Sequence, residues 1–179
     1  MALHESSPKT LWDISTLPIE GGAGSPQPGE AELFLGTPSV EIDPMFSPDG
    51  RWLAYQSNES GAMEVYARPF PGPGGKWMIS NGGGGRPMWS PNGRELFYLA
   101  PDRRIMVVSY TAEGNSFVAD KPRLWSETRV TTSALALAPD GKRFAVVKET
   151  DETDRQEAPT HVTVLLNFFD ELKRRVPAE

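Results

Sequence analysis

The sequence contains no cysteine and only two histidines, His4 and His161. Without cysteine there is no disulfide, no thiolate zinc site and no cysteine nucleophile. No apolar run approaches the roughly 20 residues of a membrane helix, and the first twenty residues lack a signal-peptide core. Positive charge is also scarce, since 18 basic residues face 24 acidic ones and the net charge is −6. This composition argues against nucleic-acid binding and membrane insertion.

The sequence is rich in turn-forming residues and contains an internal repeat. Glycine and proline contribute 17 residues each, which favours many short elements over a helix bundle. The run Phe46-Ser-Pro-Asp-Gly-Arg-Trp-Leu-Ala-Tyr55 recurs as Trp89-Ser-Pro-Asn-Gly-Arg-Glu-Leu-Phe-Tyr98 and, more weakly, as Leu137-Ala-Pro-Asp-Gly-Lys-Arg-Phe-Ala-Val146. The Asp or Asn of the turn stands at positions 49, 92 and 140. The distance between successive turns is that of four-stranded propeller blades.

The repeated motif predicts a tight hairpin between two strands. Proline presets φ for the turn, Asp or Asn bonds local amides, and glycine takes the left-handed position that closes it. The apolar stretches beside each turn are too short for helices. Because they are continuous rather than alternating, they indicate strands covered on both faces by neighbouring sheets.

We therefore predict an all-β fold, a partial β-propeller of about 3.5 four-stranded blades with a short C-terminal helix over 170–175. We expect a single domain over residues 1–179. Its parts are an N-terminal tail and half blade (1–40), two blades (41–84 and 85–130) and a last blade with the terminal helix (131–179). In the half blade we expect strands at 11–18 and 32–35 joined by a loop over 21–29, and we expect His4 in a mobile tail.

Three features resemble a known family. The Ser-Pro-Asp-Gly hairpins, the run Tyr66-Ala-Arg-Pro-Phe-Pro-Gly-Pro-Gly-Gly-Lys-Trp77 and the run Val164-Leu-Leu-Asn-Phe-Phe-Asp-Glu-Leu-Lys173 are similar to TolB-type, WD40-like (PD40) propeller repeats. More narrowly, they resemble the C-terminal propeller of bacterial membrane-tethered serine/threonine kinases. The resemblance implies a non-catalytic propeller that senses ligands or binds partners outside the cytoplasmic membrane. The residues themselves leave the compartment open.

An incomplete propeller predicts self-association. A closed ring leaves no exposed sheet faces, whereas an open set of blades exposes an apolar face at each end. Two copies would supply roughly 6 to 7 blades, within the range of closed rings. We therefore expect a homodimer that closes one ring, and a strained four-bladed monomer is the alternative.

Four residues are candidates for ligand binding at the central channel. Residues just before each repeated motif should lie at the channel mouth, because propeller inner strands begin near the axis. These residues are Glu41, Asp43, Arg86 and Ser133. Two carboxylates and a guanidinium on one rim suit a polar ligand. The alternative is that they are solvated or pair with one another.

The second functional hypothesis is a metal-assisted hydrolase acting on activated esters, lactones or phosphoesters. It would use His161 and His4 as catalytic groups and would hold Zn, Ca or Mn through His4, His161, Asp43 and Glu41 in the channel of an assembled ring. No catalytic residue is assigned under the first hypothesis, a binding module, and no cofactor is expected. A third hypothesis is that the chain is a piece of a receptor-kinase ectodomain.

Overall fold

The computed structural model describes residues 1–22, 24–130 and 135–146. All of them lie in one compact unit, Met1–Lys148. The predicted terminal helix, Ser133 and His161 lie outside the described residues. In the part of the chain that is described, no helix is long and apolar enough to cross a membrane.

The described residues form sixteen strands, which confirms the predicted all-β class. In chain order the strands are β1 (Ala2–Ser7), β2 (Leu11–Thr16), β3 (Ile19–Glu20), β4 (Gln27–Pro28), β5 (Glu32–Leu35), β6 (Glu41–Phe46), β7 (Trp52–Ser57), β8 (Glu64–Pro69), β9 (Trp77–Met78), β10 (Gly85–Trp89), β11 (Glu95–Leu99), β12 (Arg104–Glu113), β13 (Ser116–Ala119), β14 (Arg123–Arg129), β15 (Leu135–Leu137) and β16 (Phe144–Val146).

The strands form successive antiparallel sheets, as expected for the blades of a partial propeller. The first sheet has the order β1-β2-β5 and the second has the order β6-β7-β8-β9. The third has the order β10-β11-β12-β13, with β14 also paired to β12. The described part of the chain ends in the hairpin β15-β16. A small hairpin, β3-β4, lies between β2 and β5 in the sequence.

Apolar clusters hold neighbouring sheets together. Ile14 and Leu35 of the first sheet pack with Leu53 and Tyr55 of the second. A larger cluster joins the second and third sheets, and a further cluster covers the other face of the third sheet with β15-β16. Strands β7 and β11 are consequently buried on both faces, as their continuous apolarity predicted.

The repeated turn works as the motif predicts. Asp49 accepts hydrogen bonds from the hydroxyl of Ser47 at 2.5 Å and from the backbone N–H of Arg51 at 3.1 Å. Gly50 has φ of 69°, in the left-handed region that glycine adopts without strain. Although burial opposes it, these bonds lower the pKa of the Asp49 carboxyl. The aspartate is therefore a structural part of the turn.

The tryptophans at positions 52, 77, 89 and 125 serve mainly in packing. Trp52 is 1% exposed and lies edge-on to Trp77, with ring centroids 5.4 Å apart. Trp89 lies 5.0 Å from the ring of Tyr110. Trp125 is 38% exposed but contacts Phe144 of the next hairpin at 4.8 Å.

The structure corrects the N-terminal prediction. Residues 2–7 are not a mobile tail but strand β1, which pairs with β2 over six residues. Residues 1–40 therefore contain a three-stranded sheet, β1-β2-β5, rather than the two strands that were predicted. The residues 8–10, Pro-Lys-Thr, between two six-residue stretches are the turn signal that could have identified this hairpin. The predicted loop over 21–29 also contributes to the short hairpin β3-β4.

Candidate functional site

A cavity of about 430 Å³ lies where the first three sheets and β15 meet. Its walls are residues 2–4 of β1, residues 43–45 of β6, residues 86–88 of β10, and Leu135. Methionine, proline and leucine side chains make most of this wall apolar, while His4, Asp43 and Arg86 supply the polar groups. An apolar recess with a few polar groups is the usual composition of a binding site.

Asp43 and Arg86 occupy equivalent positions in the repeat and share an unusual backbone conformation. Each precedes a Pro-Met-aromatic segment, and each has φ of 53°. The strand register shifts at both places, between Ile42 and Met45 and between Gly85 and Met88. Such bulges redirect a side chain away from the regular pleat.

The conformation of these two residues has an energetic cost. A non-glycine residue in the left-handed region costs on the order of 1–3 kcal/mol, and such strain clusters at functional sites. Here the same conformation occurs in two consecutive repeats, and the carboxylate of Asp43 and the guanidinium of Arg86 line one cavity. This repetition is the observation that marks the cavity as a candidate site.

His4 links the first sheet to this cavity. The backbone N–H of Asp43 donates to His4 Nδ1 at 3.2 Å, and the imidazole lies edge-on to Trp12 at 5.4 Å. Since Nδ1 accepts a hydrogen bond, the neutral ring carries its proton on Nε2. Sequence reasoning placed His4 among the alternative metal ligands but not at the ligand-binding rim, because it was expected in a tail.

The structure brings together some of the predicted site residues and separates others. Asp43 and Arg86 line the same cavity. Glu41 is 1% exposed and instead accepts hydrogen bonds from the hydroxyl and the backbone N–H of Thr37. Among the described residues, no group of three histidine or carboxylate side chains is arranged to hold a metal ion.

The Glu41 carboxyl lies in an acidic environment. Burial raises its pKa above the ordinary value, against the effect of the Thr37 hydrogen bonds, and the carboxylates of Asp13 and Glu59 add to the rise. Asp13 Oδ1 and Glu59 Oε1 are themselves buried without a hydrogen-bond partner in the described structure. The interior beneath the β5–β6 connection therefore disfavours negative charge at residue 41.

We expect Glu41→Gln to stabilise the protein at neutral pH by roughly 1 kcal/mol, a common size for one substitution. Glutamine removes the charge, keeps one acceptor oxygen for the backbone N–H of Thr37, and presents an amide that can donate to the Thr37 hydroxyl. Because the pKa of Glu41 is raised on folding, the wild-type protein loses stability as the pH rises through that pKa. The advantage of the variant is therefore present above the folded pKa and disappears below the unfolded pKa of Glu41.

Urea unfolding of both proteins at pH 7.5 and pH 4 measures this difference. Glu32→Gln, at an exposed position of β5, is the control and should change little at either pH. A Glu41→Gln protein that is less stable at pH 7.5 than at pH 4, relative to wild type, would contradict the prediction.

Comparisons with known proteins give similarity at the level of fold. No family model and no curated protein matches the chain. Among solved structures, it is similar to a TolB of Agrobacterium tumefaciens, with 18% identity over 63% of this chain and 42% of that one and a TM-score of 0.43. A nidogen/laminin complex matches with 20% identity over 66% and 43%, at a TM-score of 0.44. TolB from Acinetobacter baumannii matches with 16% identity over 84% and 47%, at a TM-score of 0.46.

The chain spans less than half the length of each of these structures. Two of the three are TolB proteins. The narrower resemblance to kinase propellers stays a prediction.

Proposed function

We propose that this chain is a non-enzymatic β-propeller fragment that binds a ligand or a protein segment in the cavity at its inner strands. The observation that supports this proposal is the repeated bulge, which places Asp43 and Arg86 on one mostly apolar recess. A carboxylate and a guanidinium can orient a polar ligand by charge-assisted hydrogen bonds, while the methionine and proline surface supplies apolar contact. His4 adds a third polar group at the same wall.

The arrangement suits binding better than catalysis. A guanidinium such as that of Arg86 has no hydrogen-bond acceptor and does not serve as a general base. A binding role needs a shaped recess with fixed charges, which the two bulges supply. The absence of a cofactor stays an expectation, and metal analysis of the purified protein checks it.

Protein-observed NMR with a library of small carboxylates, amines and amino acids tests whether the cavity binds a polar ligand. We expect shifts at residues 2–4, 43–45 and 86–88, with at least tenfold weaker binding in Arg86→Gln and Asp43→Asn. Arg123→Gln is the control, because Arg123 is 57% exposed and pairs with Glu95 outside the cavity. Equal binding by Arg86→Gln, Asp43→Asn and wild type would overturn the proposal.

We also expect this fragment to self-associate. On the first sheet, the register places Leu11 and Leu33 on the face opposite the second sheet, and they are 56% and 67% exposed. Exposed apolar groups on a terminal sheet favour association with another copy. Light scattering should give twice the chain mass of 19.7 kDa. A mass of one chain at all concentrations up to about 100 μM, a concentration above the dissociation constants of tight specific complexes, would contradict self-association.

A further inference from the structure

The repeated turn differs at one position in the second repeat. The first and third repeats carry an aspartate there, and the second carries Asn92. In the first repeat, Arg51 Nε lies 2.8 Å from the carboxylate of Asp49. In the third repeat, Arg143 lies 2.8 Å from the carboxylate of Asp140. In both of these repeats, the aspartate of the turn therefore neutralises an arginine that follows it.

In the second repeat, Asn92 leaves the guanidinium of Arg94 without a carboxylate. The side chain of Asn92 accepts a hydrogen bond from the backbone N–H of Arg94 at 2.9 Å, so the turn keeps this backbone contact. The amide carries no charge, and no ion pair to Arg94 is found in the part of the chain that the structure describes. The neighbouring carboxylate of Glu95 is held by Arg123 at 2.9 Å. The positive charge of Arg94 is therefore not compensated by the turn.

The second turn also lacks one hydrogen bond of the first. In the first turn, the hydroxyl of Ser47 donates to the carboxylate of Asp49 at 2.5 Å. The equivalent Ser90 is fully buried, and its hydroxyl has no hydrogen-bond partner in the described structure. A buried hydroxyl without a partner lowers stability. A turn that departs from its own pattern at the expense of stability is typical of a functional site.

Arg94 lines a recess of about 340 Å³ between the first two repeated turns. The walls of this recess come from the turn after β6, the turn after β10 and residues 110–113 of β12. Pro48, Pro91 and Ala112 supply apolar surface. The recess shares no residue with the cavity near Asp43, so the two are separate places on the molecule.

The polar groups of the recess suit a ligand with one negative charge. A guanidinium such as that of Arg94 binds both oxygens of a carboxylate through paired N–H groups. Burial, together with the carboxylate of Asp49, raises the pKa of Tyr110 to about 12, so the Tyr110 hydroxyl keeps its proton and donates at neutral pH. The carboxylates of Asp49 and Glu113 lie on the same walls. Because like charges repel, they disfavour a ligand with two or more negative charges.

We propose that this recess is a second binding site, which takes a small organic acid with one carboxylate and an apolar body. The guanidinium of Arg94 and the hydroxyl of Tyr110 bind the carboxylate. The prolines of the two turns contact the apolar body. Asn92 is the residue that makes Arg94 available, because an aspartate at this position would pair with it. This inference goes beyond the proposed function, since it concerns a different recess and different residues.

The first test is Asn92→Asp, which neutralises Arg94 without removing it. Benzoate is the probe, titrated into the full chain and followed by protein-observed NMR. We expect benzoate to bind at least tenfold more weakly to Asn92→Asp than to wild type. The melting temperature should rise by about 2 °C, because the new carboxylate accepts a hydrogen bond from the Ser90 hydroxyl. Asn81→Asp is the matched control, since it adds the same charge at an exposed position outside the recess and should leave benzoate binding unchanged.

The second test removes the guanidinium. Arg94 is exposed, so Arg94→Gln should fold like the wild type, and we expect it to bind benzoate at least tenfold more weakly. Arg143→Gln is the control, because Arg143 is the equivalent arginine of the third repeat and does not line the recess. In the wild-type chain, benzoate should shift the amide signals of residues 91–94 and 110–113. Benzylamine has the same ring with a positive charge and should not shift them.

Several results would overturn this inference. One is benzoate binding that is unchanged in Asn92→Asp or in Arg94→Gln. Another is the absence of any shift at up to about 10 mM benzoate, a concentration at which even a weak specific site is occupied. Inorganic phosphate that binds the recess as tightly as benzoate would overturn the assigned ligand class. Benzoate shifts confined to residues 2–4, 43–45 and 86–88 would also overturn the inference, while supporting the cavity of the proposed function.

Discussion

Trp52→Ala should lower the free energy of unfolding by about 3–5 kcal/mol, the range for a large aromatic removed from a core. Trp52 is 1% exposed on β7, and its ring lies 5.4 Å from Trp77 and 4.9 Å from Phe117. Its removal leaves a cavity in the cluster that joins the second and third sheets. The indole Nε1 is buried without a hydrogen-bond partner in the described structure, which offsets part of the loss.

Urea unfolding followed by circular dichroism measures the effect. Trp52→Phe is the matched control, because it keeps an aromatic ring and removes the unpartnered N–H, and it should cost less than half as much. Equal costs for the alanine and phenylalanine variants would show that ring packing does not carry the stability of this cluster.

Phe117→Ala should be nearly as damaging, with a loss of about 3–5 kcal/mol. Phe117 is 3% exposed although it lies on the short strand β13. Its ring stacks on Tyr110 at 4.9 Å and contacts Trp52 at the same distance. Phe117 is the one large side chain that β13 contributes to this cluster, beside the small Ala112 and Ala119, and its loss should loosen the tip of the β12-β13 hairpin.

Val118→Ala is the control for this hairpin, since Val118 is 60% exposed. We expect a change within about 1 kcal/mol for this surface position. Amide exchange at Thr111 and Val118, which pair across the hairpin, should accelerate only in Phe117→Ala. Similar unfolding energies for the two variants would contradict the packing role of Phe117. Because Phe117 and Trp52 touch, their losses should not add in the double variant.

Local signals were enough for the repeated parts of the fold. The Ser-Pro-Asp-Gly turn contains its own chemistry: Ser47, Asp49 and Gly50 form their contacts within a few residues. Strands β7 and β11 were predicted from continuous apolar runs, and both are buried on two faces. Short-range turn chemistry and burial pattern are properties of the local sequence.

Elements that depend on distant contacts were missed or shortened. The apolar run that marks strand β12 in the sequence ends at Tyr110, but the strand continues to Glu113 because β13 pairs with it and Phe117 is buried by distant aromatics. Residues 2–7 have a polar composition and form a strand only through pairing with β2. In both cases tertiary packing outweighs weak local preference.

The candidate site shows the same division. The sequence alone determined that Asp43 and Arg86 occupy equivalent positions, because the repeat aligns them. Only the tertiary structure decided that both lie in bulges at φ of 53°, that His4 joins them, and that Glu41 turns away to Thr37. A repeat is visible in the order of the residues. The convergence of Asp43, Arg86 and His4 on one cavity depends instead on how separate sheets pack against one another.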